Sequence, residues 1–208
     1  MNFRSIIQQI HNVKNSGRDQ GTRFEEIVRI YLSHEPEYQS QYQKVVLWSQ
    51  WDQRTNSDTG IDIVAEMRDG SGFVAVQCKC YGEDYKIQKP DIDSFLAASS
   101  KKKFVRRILV ATTDLGKNAE DAIQNQHPPV HVIGLSDLEN SCIDWDEYFR
   151  NNKIRRKPVK ELRPHQTEAV NNVCNAFETV DRGQLIMACG TGKTFTSLKI
   201  AERFAGKG

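Results

Sequence analysis

The chain has 208 residues, of which 38% are hydrophobic and 27% charged, a balance typical of globular proteins and unlike that of disordered chains. Lysine and arginine number 29 against 27 aspartate and glutamate residues, a net charge of +2, which excludes a histone-like coating of nucleic acid but allows a local basic patch. The sequence has no apolar run near the ~20 residues that span a bilayer, no signal-peptide core and no CxxC pair, so we expect a cytoplasmic protein with reduced thiols and no membrane partner.

Hydrophobic periodicity predicts the elements of the first 150 residues. An amphipathic helix is predicted over residues 20–32, with one apolar face formed by Phe24, Ile27, Val28, Tyr31 and Leu32. Further predictions are strands at 45–48, 61–66, 73–81, 105–112 and 130–135, a polar loop at 53–60, a turn at 69–72, and helices after Pro90 and at 116–124. Strands that alternate with helices after an opening hairpin predict an α/β fold whose mixed central sheet is flanked by helices.

The predicted hairpin carries polar residues where a buried sheet normally has none. Side-chain alternation places Asp62 opposite to Ile61 and Ile63, and it places Gln77 and Lys79 on one face of the second strand. Pairing through the turn would bring Asp62 close to both. An aspartate that caps a loop and a lysine that extends to water would explain either residue alone. The combination favours a catalytic site, because metal-dependent phosphodiester hydrolysis needs carboxylates for the metal and a nearby cation.

The residues Gly60-Ile61-Asp62-Ile63, followed by Val76-Gln77-Cys78-Lys79-Cys80-Tyr81, resemble the Mrr-type branch of the PD-(D/E)xK nucleases over about residues 20–140. The resemblance implies a restriction-endonuclease-like core and a Mg²⁺-dependent endonuclease that acts on double-stranded DNA. It also implies that Asp62 and Gln77 hold the metal and that Lys79 assists the water or the transition state. The sequence departs from the wider superfamily in having Gln77 instead of an acid and Ile61 instead of a frequent proline.

A glutamine supplies a neutral oxygen, so the site needs another carboxylate. The helix predicted at 20–32 offers Glu25 and Glu26. At about 100° per residue, Glu25 falls at the edge of the apolar face while Glu26 points nearly opposite. Mrr-like enzymes similarly carry a Phe-Glu pair in this helix, which matches Phe24-Glu25. We therefore expect Glu25 to be the further catalytic and metal-binding residue, with Glu26 as the alternative.

A second motif lies near the end of the chain. Residues 184–188 are predicted as a strand, followed by the loop Gly190-Thr191-Gly192-Lys193-Thr194 and a helix to Phe204, an arrangement that cradles phosphates. Lys193 would reach the β- and γ-phosphates, and Thr194 would bind Mg²⁺. This loop resembles motif I of superfamily 2 helicases.

Residues 161–166 resemble the adenine-reading segment of the same helicases, with Gln166 as the reader. The two motifs imply ATP as a cofactor, with Gln166, Gly190, Gly192, Lys193 and Thr194 as its binding residues. A RecA-like motor needs more parallel strands than this segment offers. We therefore expect a truncated RecA-like segment, with ATP bound only by the full-length protein.

These motifs predict a domain order. Residues 1–149 would form the Mrr-like nuclease domain, 150–160 a basic linker, and 161–208 the N-terminal fragment of a superfamily 2 helicase-like ATPase. Nuclease followed by motor resembles ATP-dependent restriction enzymes, either the single-chain type ISP group or type I motor subunits. That resemblance implies helicase, methyltransferase and target-recognition domains as partners in a larger protein. The alternative is a non-catalytic DNA-binding and docking module of a superfamily 2 helicase.

Overall fold

In the computed structural model of the chain, the described residues are 3–12, 17–54, 60–124, 126–158, 161–188 and 190–205. They group into two compact units, Met1–Lys157 and Pro158–Gly208. Part of the polar loop predicted at 53–60 and the end of the linker predicted at 150–160 lie outside the described residues. Within the described ranges, every helix is too short or too polar to cross a membrane.

The first unit contains seven α-helices and five strands in its described part. In chain order they are α1 (Phe3–Asn12), α2 (Gly17–His34), α3 (Pro36–Gln41), β1 (Tyr42–Leu47), β2 (Ile63–Met67), β3 (Phe73–Lys79), α4 (Pro90–Ala98), β4 (Phe104–Ala111), α5 (Lys117–Gln124), β5 (Val130–Ile133), α6 (Leu135–Asn140) and α7 (Trp145–Asn151). The predicted strands and the three predicted helices are all present, with ends that differ by a few residues. Helices α1, α3, α6 and α7 were not predicted.

The missed helices fall into two groups, three that are too short to detect and one whose pattern is detectable. Helices α3, α6 and α7 contain only six or seven residues, which is shorter than the 11–18-residue window in which periodicity is detectable. Helix α1 does carry a helical signal, because Phe3, Ile6, Ile7 and Ile10 follow helical spacing and all are buried.

The five strands form one sheet in the order β1-β2-β3-β4-β5. Strands β1, β2 and β3 pair antiparallel, whereas β3, β4 and β5 pair parallel. The predicted mixed sheet is therefore confirmed. Its parallel half places the carboxyl ends of β3, β4 and β5 along one edge.

Apolar side chains cover both faces of this sheet. On one face, Val74 and Val76 of β3 pack in a cluster with the predicted apolar face of α2, whose five residues are at most 5% exposed. On the other face, Ala75 packs with Phe95 of α4. We refer to these as the α2 face and the α4 face. The predicted burial of the sheet on both sides is confirmed.

Residues 150–157 belong to the first unit. Arg156 forms an isolated bridge with Ile143, and the Lys157 N–H donates to the carbonyl of Cys142 at 2.6 Å. Arg150 pairs with Asp146 in α7 at 2.9 Å. Part of the segment predicted as a linker therefore packs within the first unit.

The second unit contains α8 (Pro164–Ala176) and α9 (Lys193–Ala205) in its described part. The helix predicted to follow the glycine-rich loop is confirmed as α9. The strand predicted at 184–188 is wrong, because these residues join no ladder within the described ranges. Ile186 is 82% exposed, so this apolar segment lacks the strand neighbours that would bury it.

Candidate active site

Asp62 lies where the β2–β3 ladder ends. The last strand pair is Ile63 with Val76, and the Asp62 N–H donates to the Val76 carbonyl at 2.9 Å. Two residues further along β3, the Cys78 N–H donates to Asp62 Oδ2 at 2.7 Å. The carboxylate therefore takes the place of a strand partner and lies close to the backbone of β3.

The expected alternation around Asp62 is wrong. Ile61 packs on the α4 face with Val64 and Ala75, whereas Ile63 packs on the α2 face. The two isoleucines do not share a face because regular strand geometry begins only at Ile63. Asp62 precedes that strand, so its side chain lies at the sheet edge, where groups from both faces can approach it.

Gln77 is the buried polar residue of β3. It lies two residues after Ala75 in the strand and therefore on the same α4 face, and it is 2% exposed. In the part of the chain that the structure describes, Gln77 Oε1 is buried and accepts no hydrogen bond. An unpaired buried acceptor costs about 1–3 kcal/mol. A cation or a water molecule beside this oxygen would offset that cost, so Gln77 suits a ligand-binding role.

Gly60 holds the backbone against Gln77 and α4. Its φ is +68°, and a Cβ at this position would lie 2.7 Å from Ser94 Oγ, 3.1 Å from Gln77 Nε2 and 3.1 Å from the backbone nitrogen of Phe95. Both the left-handed backbone and the close approach favour glycine. This glycine therefore fixes the path by which the chain reaches Asp62.

The two glutamates of α2 have different environments. Burial raises the pKa of the Glu25 carboxyl above its ordinary value. Burial also raises the pKa of the Cys78 thiol, and the charges of Asp62 and Glu25 raise it further, so both carboxylates lie close to that thiol. Glu26 instead pairs with Arg29 at 2.6 Å near the surface. The structure thus brings Glu25 toward Asp62 and leaves Glu26 in a separate ion pair.

Lys79 is the last residue of β3 and shares the α4 face with Gln77. It is partly exposed, and its charge lowers the pKa of the Cys78 thiol, opposing the larger effects of burial and the two carboxylates. Asp62, Gln77 and Lys79 therefore lie at one end of β3, and Glu25 approaches Cys78 at the same end of the strand from the opposite, α2 face of the sheet. In the described ranges, His, Cys, Asp and Glu side chains form no metal-binding group of three or more, so the Gln77 amide oxygen is a further protein ligand that a metal here could use.

Two features near this site were not predicted from the sequence. The Cys78 N–H fixes the Asp62 carboxylate, which depends on where the ladder stops. Asp91, in the first turn of α4, has a pKa lowered in part by the charge of Lys79, against the opposing effect of burial. An acid directly after Pro90 is a visible signal for a helix start, but its proximity to Lys79 requires the fold.

In the second unit, two glycines of the glycine-rich loop have a left-handed backbone. Gly190 and Gly192 have φ values of +76° and +84°. Lys193 Nζ donates to the Met187 carbonyl at 3.2 Å, and exposed Thr194 lies in the first turn of α9. The loop therefore places Lys193 and Thr194 at the start of a helix.

The Gln166 side chain contacts the backbone of this loop. Its Nε2 donates to the Thr191 carbonyl at 2.8 Å, while its Oε1 accepts from the Arg163 N–H at 2.9 Å. The two polar ends of the predicted adenine reader thus have protein partners. Gln166 joins the first turn of α8 to the glycine-rich loop.

Comparison with known families assigns both regions. Residues 33–155 match the family model Mrr_cat_2, described as restriction endonuclease. The chain belongs to this restriction endonuclease family. Residues 159–208 match a second family, described as type III restriction enzyme, res subunit. The matches confirm the predicted Mrr-type domain followed by a helicase-like segment. Glu25 precedes the first matched range, so its candidate role rests on geometry and on the Phe-Glu resemblance.

Solved structures resemble the chain to different degrees. The chain is 38% identical to the ATP-dependent Type ISP restriction-modification enzyme LlaBIII bound to DNA, over 100% of this chain and 13% of that one, with a TM-score of 0.74. The chain thus spans 13% of the length of that enzyme. The MspJI restriction endonuclease in complex with a 27-mer oligonucleotide is 16% identical, over 65% of this chain and 30% of that one, with a TM-score of 0.48. No curated protein sequence matches the chain.

Proposed function

We propose that the first unit hydrolyses phosphodiester bonds of double-stranded DNA and depends on Mg²⁺. The observation that carries this proposal is the buried, unpaired Oε1 of Gln77, at the same end of β3 as two carboxylates and Lys79. Such an oxygen is costly in a purely structural sheet. It is useful where a cation or an ordered water completes the site.

The ligand set suits a hard cation. Asp62, Glu25 and Gln77 would hold Mg²⁺ through oxygen atoms, which are the ligands that this ion prefers. When bound, Mg²⁺ supplies positive charge to the reacting phosphate and lowers the pKa of water. Half-buried Glu25 would attract the cation more strongly than an exposed glutamate, because charges interact more strongly at lower local dielectric constant.

The side chains have distinct proposed roles. Asp62 is oriented by the Cys78 N–H, so its carboxylate is in place before DNA arrives. The Lys79 ammonium would orient the attacking water and donate hydrogen bonds to the negative charge that develops on the phosphate. Gln77 would fix the position of the metal ion from the buried side of β3.

We further propose that this nuclease acts within an ATP-dependent restriction-modification enzyme. The match of residues 159–208 to a restriction-enzyme res subunit and the coverage of 13% of a type ISP enzyme support this proposal. In that protein, helicase, methyltransferase and target-recognition domains would accompany the chain. ATP would be bound through Gln166, Gly190, Gly192, Lys193 and Thr194 only in the complete motor.

The test is cleavage of supercoiled plasmid DNA by the purified 208-residue chain. We expect nicked and linear products with Mg²⁺ and none after its removal with EDTA. Asp62→Asn, which removes one charge at nearly constant size, should lower the rate at least about 100-fold.

Two outcomes would contradict the proposal. Cleavage that persists in EDTA would exclude a metal-dependent reaction. DNA binding without Mg²⁺-dependent cleavage would favour the non-catalytic docking module instead.

A further inference from the structure

An acid and two tyrosines form a hydrogen-bonded cluster at the start of α4. Asp91 Oδ2 accepts hydrogen bonds of 2.7 Å from the Tyr85 hydroxyl and from the Gln88 N–H. The Tyr81 hydroxyl donates to Oδ1 at 3.5 Å, and the Tyr81 and Tyr85 ring centroids are 4.5 Å apart. Asp91 is therefore held by two side chains and one backbone group.

This cluster lies on the α4 face, at the end of β3. Tyr81 packs against the apolar cluster that contains Leu109 and Ala111 of β4. These are the residues paired with Gln77 and Lys79 in the parallel ladder. Tyr81 thus lies on the same face as Lys79, and its hydroxyl donates a hydrogen bond to Asp91.

Lys79 is one of the groups that act on the Asp91 carboxyl. Burial alone would raise the pKa of the Asp91 carboxyl, but the Gln88 N–H, the Tyr85 hydroxyl and the Lys79 ammonium together hold it below its ordinary value. Asp91 is therefore ionised at neutral pH. The neighbouring acid of α4, Asp93, instead pairs with Lys89 at 2.7 Å on the surface.

We propose that Asp91 is a positioning residue for Lys79, holding its ammonium group at the end of β3 through a carboxylate that Tyr81, Tyr85 and the Gln88 backbone keep in place. The inference rests on the proposed nuclease function. A lysine side chain has many rotamers, and holding it in one conformation costs side-chain entropy. A fixed counter-charge narrows the conformations that Lys79 samples before DNA binds.

The experiment compares Asp91→Asn with its matched control Asp93→Asn in the 208-residue chain. Plasmid cleavage is measured over a range of DNA and Mg²⁺ concentrations. We expect Asp91→Asn to lower the maximal rate about tenfold, with unchanged half-saturation by DNA and by Mg²⁺. Asp91→Glu should recover part of the rate because it restores the charge, and Asp93→Asn should cleave like wild type.

A third variant keeps the inference testable if Asp91→Asn unfolds. Tyr85→Phe removes one hydrogen bond to Asp91 and leaves the charge, so we expect a loss of about two- to threefold in the maximal rate. Circular dichroism and urea unfolding establish that each variant is folded.

The results separate the two proposals. If wild type fails to cleave DNA, the nuclease function and the role of Asp91 are both overturned. If wild type cleaves and Asp91→Asn cleaves equally fast, only the positioning role is overturned. A raised half-saturation by Mg²⁺ in Asp91→Asn, with an unchanged maximal rate, would likewise overturn it, because it would make Asp91 a contributor to metal binding.

Discussion

The end of β3 and the glycine-rich loop each carry a strong sequence motif, but their surroundings differ. Strand β3 has a strand partner on each side, Gln77 in it is buried, and Asp62 lies against the β3 backbone. The segment before the loop joins no ladder in the described residues and leaves Ile186 82% exposed. A motif thus supplies reactive groups, while neighbouring strands supply their fixed positions. We therefore expect chemistry at β3 and none at the loop in this chain.

The strongest loss of activity is expected at Lys79. Lys79→Ala should lower plasmid cleavage at least about 100-fold, because it removes the group proposed to assist the water and the phosphate. Lys89→Ala is the control, since Lys89 pairs with Asp93 on the surface and should leave the rate unchanged. Wild-type cleavage by Lys79→Ala would remove this lysine from the mechanism.

The next largest effect is expected at Glu25 of α2, and Glu26 should show little effect. Glu25→Ala should raise the Mg²⁺ concentration needed for half-maximal cleavage at least about tenfold, because it removes a proposed oxygen ligand. Glu26→Ala breaks a surface ion pair with Arg29 and should have little effect. The same titration measures both, and the reverse ranking would show that Glu26 faces the metal.

The backbone at Gly60 gives a smaller effect, measured as stability. Gly60→Ala should lower the free energy of unfolding by about 3 kcal/mol, because it adds left-handed strain to crowding against α4. Gly70 has a similar φ of +74°, but a Cβ added there would meet no described atom within 4 Å, so Gly70→Ala should cost only about 1 kcal/mol. Equal losses in urea unfolding would show that the contacts of Gly60 are unimportant.

The weakest consequence is expected at the loop. Lys193→Ala should leave plasmid cleavage by this chain unchanged. Neither the wild-type chain nor the variant should hydrolyse ATP, since the ladder that would support the loop is absent from the described residues. A coupled phosphate-release assay measures turnover. ATP hydrolysis that Lys193→Ala abolishes would show that the loop works in this chain.

Sequence patterns were sufficient for the five strands of the first unit and for the buried face of α2. Alternation and helical spacing report burial directly, which is why Phe24 and Tyr31 were placed correctly. The same reasoning brought Gln77 and Lys79 together, because both lie in one regular strand. Whether the four candidate residues catalyse a reaction stays a prediction.

Sequence patterns could not supply features that depend on where a ladder ends. The change of face between Ile61 and Ile63 follows from the start of β2 at Ile63, which alternation alone does not mark. Asp91 reaches the neighbourhood of Lys79 only because α4 packs on the sheet. The strand predicted at 184–188 failed for a related reason, since an apolar run becomes a strand only when partners bind it.

Asp62 also caps the end of a strand ladder. The Cys78 N–H depends on its carboxylate, so truncation to alanine would leave that donor unpaired, at a cost of about 1–3 kcal/mol in stability. Losses of this size change the abundance of a protein in cells, because proteases remove the unfolded fraction. Within the described ranges, the Lys79 side chain makes no such hydrogen bond to the backbone. Asp62→Ala would therefore lower the abundance of the protein in cells, whereas Lys79→Ala would leave a folded protein that lacks the proposed catalytic lysine.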